Sequence, residues 1–194
     1  PTHLSETVFG LAAGVFLGVT VVKFPNPGLL DRHTEPPNGF WEFLFQPWPV
    51  AWGYGALAVL ISIWVWMWLE QKDKRMRLSW LAGLPLIWFG WQWLAALGSI
   101  SPVATRITVT HFTTVVLGYL LGCFGLARVR AMNWFWAPLL GGFLFGPWLG
   151  FNQHYGGLEA TRQYVFSLPG WEQLPAEQIK RLKSERIFST LFYP

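Results

Sequence analysis

Residues 48–69 read WPVAWGYGALAVLISIWVWMWL and contain no charged side chain. A bilayer core of about 30 Å is crossed by roughly 20 residues of α-helix, so this stretch is long enough to span a membrane. Three further charge-free stretches follow, and they predict spans near residues 80–100, 108–127 and 134–151. The sequence therefore predicts a polytopic helical membrane protein.

The composition agrees with this class, because 53% of the residues are hydrophobic and only 12% are charged, too few to coat a soluble globule. A shorter apolar stretch, residues 8–22, lies between Glu6 and Lys23. No basic residue precedes it and no small-residue cleavage site follows it, so an uncleaved first span fits better than a signal peptide. We predict an all-α fold with about five transmembrane helices in residues 1–150 and an extracytoplasmic helical segment over residues 151–194.

Basic residues beside the predicted spans indicate the orientation of the chain. Cytoplasmic loops of membrane proteins are rich in Lys and Arg. The loop after the second span and the short loop after the fourth are both basic, and their residues are Lys72, Lys74, Arg75, Arg77, Arg128 and Arg130. The amino terminus is therefore predicted to be cytoplasmic. Eight basic residues on the predicted extracytoplasmic side argue against this orientation. Most of them lie in the tail, where charge affects membrane insertion weakly.

Two histidines are candidate ligands for a pigment or haem. His111 lies one turn inside the fourth predicted span, in TVTHFTTVV, and ionisable groups at membrane depth usually face a protein interior or a water-filled path. Hydrogen bonding to a neighbouring helix is the alternative interpretation for His111. His154 is the second candidate. With the 14 Trp and 16 Phe, these residues support the hypothesis of a non-catalytic integral subunit of a pigment or electron-transfer complex.

The polar tail carries a cluster of basic residues. A helix predicted to begin near Pro175 places Lys180, Lys183 and Arg186 within an arc of about 120°, and Arg181 lies beside them. A basic arc next to a membrane suits anionic headgroups, above all a diphosphate. A solvated helix face explains the same periodicity equally well. No HExxH, CxxC, GxSxG or P-loop motif is present, so no complete active site is predicted.

The end of the chain resembles a known family. Residues 157–194, GLEATRQYVFSLPGWEQLPAEQIKRLKSERIFSTLFYP, are similar to the extracytoplasmic connection of the O-antigen ligase and polymerase superfamily. In that family an Arg precedes a small-residue and aromatic run that ends in Pro-Asn-x-Leu-Ala and opens the next span. Arg186, the run IFSTLFY and Pro194 match this pattern, and the Asn and later positions have no counterpart. The resemblance implies the amino-terminal half of a longer protein.

The resemblance also implies a function. Members of the family transfer a glycan from undecaprenyl diphosphate without a metal, which implies a bacterial inner-membrane protein of the cell envelope. Arg186 would bind the lipid diphosphate, and Lys180, Arg181 and Lys183 would add to the positive field. Membrane lipids and the lipid-linked glycan are the expected partners, and we expect no cofactor, metal or nucleic acid. The family's catalytic His has no match here, so we assign no catalytic residue. We expect the chain to be inactive without a carboxy-terminal half or other membrane subunits.

Overall fold

The computed structural model of the chain describes residues 4–24, 36–45, 47–71, 80–167, 179 and 183. These residues form seven α-helices and no strand, which confirms the all-α prediction for this part of the chain. A 3-10 turn, Leu126–Arg128, precedes the sixth helix, and a π-helical turn, Gln153–Gly157, joins the sixth helix to the seventh. The helices are α1 (Leu4–Lys23), α2 (Phe40–Phe45), α3 (Val50–Glu70), α4 (Trp80–Leu97), α5 (Pro102–Phe124), α6 (Asn133–Asn152) and α7 (Leu158–Ser167).

Among the described residues, three helical stretches are long and apolar enough to cross a membrane, namely α1, α3 and Pro102–Arg128, which contains α5. Helices α4 and α6 lie at the other two predicted places, and the count of five spans stays a prediction. Helix α1 extends beyond the predicted range 8–22 at both ends. Glu6 and Lys23, which bounded that range, lie inside the helix and are only 5% and 6% exposed, because neighbouring segments cover them.

Helix α1 packs along α6 through backbone contacts at glycines. A Cβ atom added to Gly14 would lie 2.2 Å from the carbonyl oxygen of Phe135, and one added to Gly142 would lie 2.6 Å from the Cα of Gly18. Small residues let helices approach closely in lipid, where association depends on van der Waals packing rather than on the hydrophobic effect. The α1–α6 pair therefore requires Gly at these contact positions.

The bundle has two distinct ends. At one end, which we call the Arg128 end, the Arg128 guanidinium donates a 2.6 Å hydrogen bond to Oε1 of Gln71, the residue that follows α3. At the opposite end, the Lys23 end, the amide of Trp48 donates to the carbonyl oxygen of Lys23 over 3.1 Å. Helices α3 and α5 thus run antiparallel to α1. Helix α6 runs parallel to α1, because Phe135 lies near Gly14 and the later residue Gly142 lies near Gly18.

Candidate functional site

Of the four tail residues predicted to contact the lipid diphosphate, the structure describes Lys183. Lys183 is exposed, and its amide donates a 3.1 Å hydrogen bond to the carbonyl oxygen of Ile179, as in one turn of helix. Lys180, Arg181 and Arg186 lie outside the described residues. The predicted basic arc and the diphosphate contacts implied for it therefore stay predictions.

The two candidate histidines lie on different elements. His111 is a partly buried residue of α5, and its carbonyl oxygen accepts a 2.6 Å hydrogen bond from the Thr114 hydroxyl. His154 lies in the π-helical turn, is exposed, and has its ring 5.0 Å from that of Tyr155. Within the described ranges, no group of three His, Cys, Asp or Glu residues could hold a metal ion. Ligation of a pigment or haem by either histidine stays a prediction.

A cavity of about 390 Å³ lies between α4 and the first half of α5, at the Lys23 end of the bundle. Residues of α5 recur in its lining at spacings of three and four, so a single face of α5 forms one wall. We call it the α4–α5 cavity. Its lining residues are Trp93, Ala96, Pro102, Thr105, Arg106, Val109, Thr110 and Thr113.

The turn between α4 and α5 sets the position of this wall. The hydroxyl groups of Ser99 and Thr105 are hydrogen bonded to each other, and the Ser101 amide donates to the Ser99 Oγ over 3.2 Å. Pro102 then occupies the start of α5, where its fixed φ suits a helix and its missing N–H costs nothing. Arg106 follows one turn later and projects from a fixed helix start.

Arg106 gives the α4–α5 cavity a positive charge. Its side chain is exposed, and no described residue forms an ion pair or hydrogen bond with it. A guanidinium stays charged at any relevant pH and can pair two phosphate oxygens at once. The exposed hydroxyl of Thr110 and the half-exposed ring of Trp93 line the same cavity. This combination suits a ligand that carries anionic oxygens, hydroxyl groups and an apolar portion.

Lys23, the other basic residue at this end, is held inside the protein. Its ammonium group donates to the carbonyl oxygens of Phe43, at 2.9 Å, and Leu44, and lies 5.4 Å from the centre of the Trp48 ring. The Trp48 Nε1 also donates to the Phe43 carbonyl oxygen, over 2.9 Å. Carbonyl dipoles and the ring face both stabilise a cation. Lys23 therefore fastens the short helix α2 to the bundle.

Sequence reasoning missed Arg106 as a site residue and counted it only among the basic residues that oppose the predicted orientation. The signal was weak, because Thr105, Arg106, Thr110 and Thr113 share one face of a helix, but Thr108, His111 and Thr114 place polar groups on its other faces. What the sequence lacked was the position of α4. The packing of α4 against α5 turns that polar face into the wall of a cavity.

Comparisons with known proteins give no family for this chain. No protein-family model matches it, and searches of the curated proteins and of the solved structures also found no match. The class of protein is therefore the one that the described part of the chain defines: an all-α membrane protein, with three helical stretches among those residues able to cross a membrane. The relationship to O-antigen ligases remains a proposal that rests on residues 157–194.

Proposed function

We propose that this protein binds a polyprenyl-diphosphate-linked glycan at the extracytoplasmic face of a bacterial inner membrane, as part of a unit similar to O-antigen ligases and polymerases. The α4–α5 cavity, with Arg106 among its lining residues, is the observation that carries the proposal. The resemblance of residues 157–194 to that family supports it independently.

The residues that line the α4–α5 cavity suit the parts of such a lipid nearest its diphosphate. Arg106 can pair with diphosphate oxygens, and its place one turn into α5 corresponds to the headgroup level of a membrane if α5 spans it. The Trp93 ring, one turn before the end of α4, offers an apolar face to a sugar ring near the same level, and Val109, deeper along α5, offers an apolar contact for the first isoprene unit. A volume of about 390 Å³ falls within the usual size range of small-molecule sites.

The packing of the helices places Arg106 and the start of the tail at the same end of the bundle. Helix α6 runs parallel to α1, and its residue Phe145 lines a second cavity together with Lys23, so α6 ends at the Lys23 end. Helix α5 begins at that same end. Residues 153–167 thus leave the bundle at the end where Arg106 lies. Under the predicted orientation this side is extracytoplasmic, where the basic tail with Arg186 can add to the field around the diphosphate.

Replacing Arg106 with Gln is expected to weaken binding of undecaprenyl diphosphate about tenfold or more. A tenfold loss of affinity corresponds to about 1.4 kcal/mol of binding free energy. A close pair of opposite charges at a binding site commonly contributes at least that much. The measurement is the affinity of the purified chain in lipid nanodiscs for the diphosphate lipid, with undecaprenol as the uncharged reference ligand.

The matched control is Arg130→Gln. It removes the same charge from an exposed residue two positions after Arg128, at the opposite end of the bundle from the cavity. It is expected to leave the affinity unchanged. A third variant, Arg186→Gln, measures what the tail adds. Equal affinity of the Arg106 and Arg130 variants, or equal binding of undecaprenol and the diphosphate lipid, would contradict the proposal.

A further inference from the structure

A second cavity, of about 330 Å³, lies between α1 and α6 at the Lys23 end of the bundle. Its residues recur at spacings of three and four along both helices, so one face of each helix forms a wall. We call it the α1–α6 groove. Its walls carry the side chains of Val15, Val19 and Val22 on α1, and of Pro138 and Phe145 on α6.

The glycine contact between the two helices forms the floor of the groove. Gly18 and Gly142 both line it, and a Cβ atom added to Gly142 would lie 2.6 Å from the Cα of Gly18. The helices thus meet through their backbones, and the larger side chains on either side of this contact form the walls. Because α1 and α6 run parallel, the groove follows both helix axes. At about 1.5 Å per residue, it extends about 12 Å along α1 from Val15 to Lys23.

The lining of the groove suits hydrocarbon rather than water. Among the described residues that line it, only Lys23 is charged, and its ammonium group donates to carbonyl oxygens of α2. The Trp48 Nε1 also donates to a carbonyl oxygen of α2. A buried water molecule needs about two to four polar partners, and the valine, proline and phenylalanine side chains of the walls offer none. An apolar occupant therefore fits the groove.

The level of the groove in the bundle determines which apolar occupant it meets. Helix α1 is one of the stretches able to cross a membrane, and Val15, near its middle, is 45% exposed. Where α1 crosses a membrane, lipid hydrocarbon surrounds it at this level. Lys23 and Trp48 lie at the other end of the groove, and basic and Trp side chains gather at the headgroup level. The groove therefore runs from the headgroup level into the hydrocarbon core, as the acyl chain of a lipid does.

We propose that the α1–α6 groove binds one acyl chain of a membrane phospholipid, whose headgroup lies beside α2 at the Lys23 end. A chain in the groove contacts both walls and so helps to hold α1 against α6. The described lining residues belong to α1, α2 and α6 and to Trp48, whereas those of the α4–α5 cavity belong to α4 and α5. The two sites are separate, and this proposal does not depend on the function proposed for the α4–α5 cavity.

Native mass spectrometry of the whole chain tests the assignment. The protein is transferred into mild detergent from nanodiscs of phosphatidylcholine that also contain undecaprenyl diphosphate. The wild type is expected to retain phosphatidylcholine, and Val15→Trp, which fills the inner part of the groove, is expected to lose it. Val21→Trp is the matched control, because Val21 is a residue of α1 with the same 45% exposure and does not line the groove. It should retain the phospholipid, and so should Arg106→Gln.

Photo-crosslinking of the wild type gives a second measurement that does not depend on the folding of any variant. The probe is phosphatidylcholine with a diazirine midway along one acyl chain. Crosslinks are expected to be enriched in residues 15–22 and 138–145 over α4, whose Trp88 and Trp91 are exposed.

Three results would overturn the proposal. The first is a wild-type protein that retains no phosphatidylcholine, or that loses it equally in Val15→Trp and Val21→Trp. The second is a set of crosslinks spread evenly over α1, α4 and α6, as expected for lipid that merely surrounds the bundle. The third is retention of undecaprenyl diphosphate instead of phosphatidylcholine in a manner that Val15→Trp abolishes and Arg106→Gln does not, which would make the groove a polyprenyl site.

Discussion

Replacing Gly142 with Ala is expected to destabilise the bundle markedly, whereas the same change at the adjacent Gly141 is expected to leave it as stable or slightly more stable. The Cβ atom added at position 142 would lie 2.6 Å from the Cα and 2.7 Å from the carbonyl oxygen of Gly18. Both atoms belong to the backbone of α1, so the helices themselves must separate. At position 141 the added Cβ would meet nothing within 4 Å.

Gly142→Ala and Gly141→Ala are expected to change the free energy of unfolding in opposite directions. Overpacking of a close contact commonly costs about 1–3 kcal/mol, while Ala gains up to about 1 kcal/mol over Gly in a helix interior. Gly14→Ala, whose Cβ would lie 2.2 Å from the Phe135 carbonyl oxygen, is expected to behave like Gly142→Ala. The measurement is thermal unfolding in detergent followed by tryptophan fluorescence. Equal midpoints for the 141 and 142 variants would mean that α1 and α6 do not pack as described.

Replacing Lys23 with Met is expected to release helix α2 from the bundle. Met keeps most of the unbranched apolar stem of the side chain but removes the ammonium group that donates to the Phe43 and Leu44 carbonyl oxygens. Hydrogen bonds from charged groups contribute about 1.5–3 kcal/mol, and a carbonyl left without its donor costs more than one that never had it. Limited proteolysis around residues 36–45 is therefore expected to become faster, with a lower unfolding midpoint.

Lys183→Met is the matched control, because Lys183 is an exposed lysine in the tail. It removes the same charge and is expected to change neither the cleavage rate around α2 nor the midpoint. If Lys23→Met and Lys183→Met are cleaved at the same rate, Lys23 does not hold α2 in place.

The fold class could be predicted from the sequence, but the ends of the first helix could not. The length of a charge-free run depends only on the order of residues, so the stretch 48–69 already indicated the helix that the structure gives as Val50–Glu70. Glu6 and Lys23 were taken as polar limits of the first span. Their burial depends on segments that meet α1 only in the folded chain, such as α2, whose carbonyl oxygens bind Lys23.

The candidate site could be predicted less well, because it depends on which helices meet. Arg106 is one basic residue among several in the sequence, and only the packing of α4 places Trp93 opposite it. The tail residue Arg186 was proposed from family resemblance, and it lies outside the described residues. A sequence motif can be found within one segment, whereas the α4–α5 cavity forms only where two separate segments pack together.

Photo-crosslinking with a photoreactive polyprenyl diphosphate tests most directly whether the α4–α5 cavity is the lipid site. The probe carries its reactive group next to the diphosphate, and the modified peptides of the nanodisc-embedded chain are identified by mass spectrometry. We expect crosslinks within residues 93–113, competed by unlabelled undecaprenyl diphosphate and reduced in Arg106→Gln. Crosslinks confined to the Arg128 end of the bundle, or crosslinks in residues 93–113 that undecaprenyl diphosphate does not compete, would contradict the proposed function.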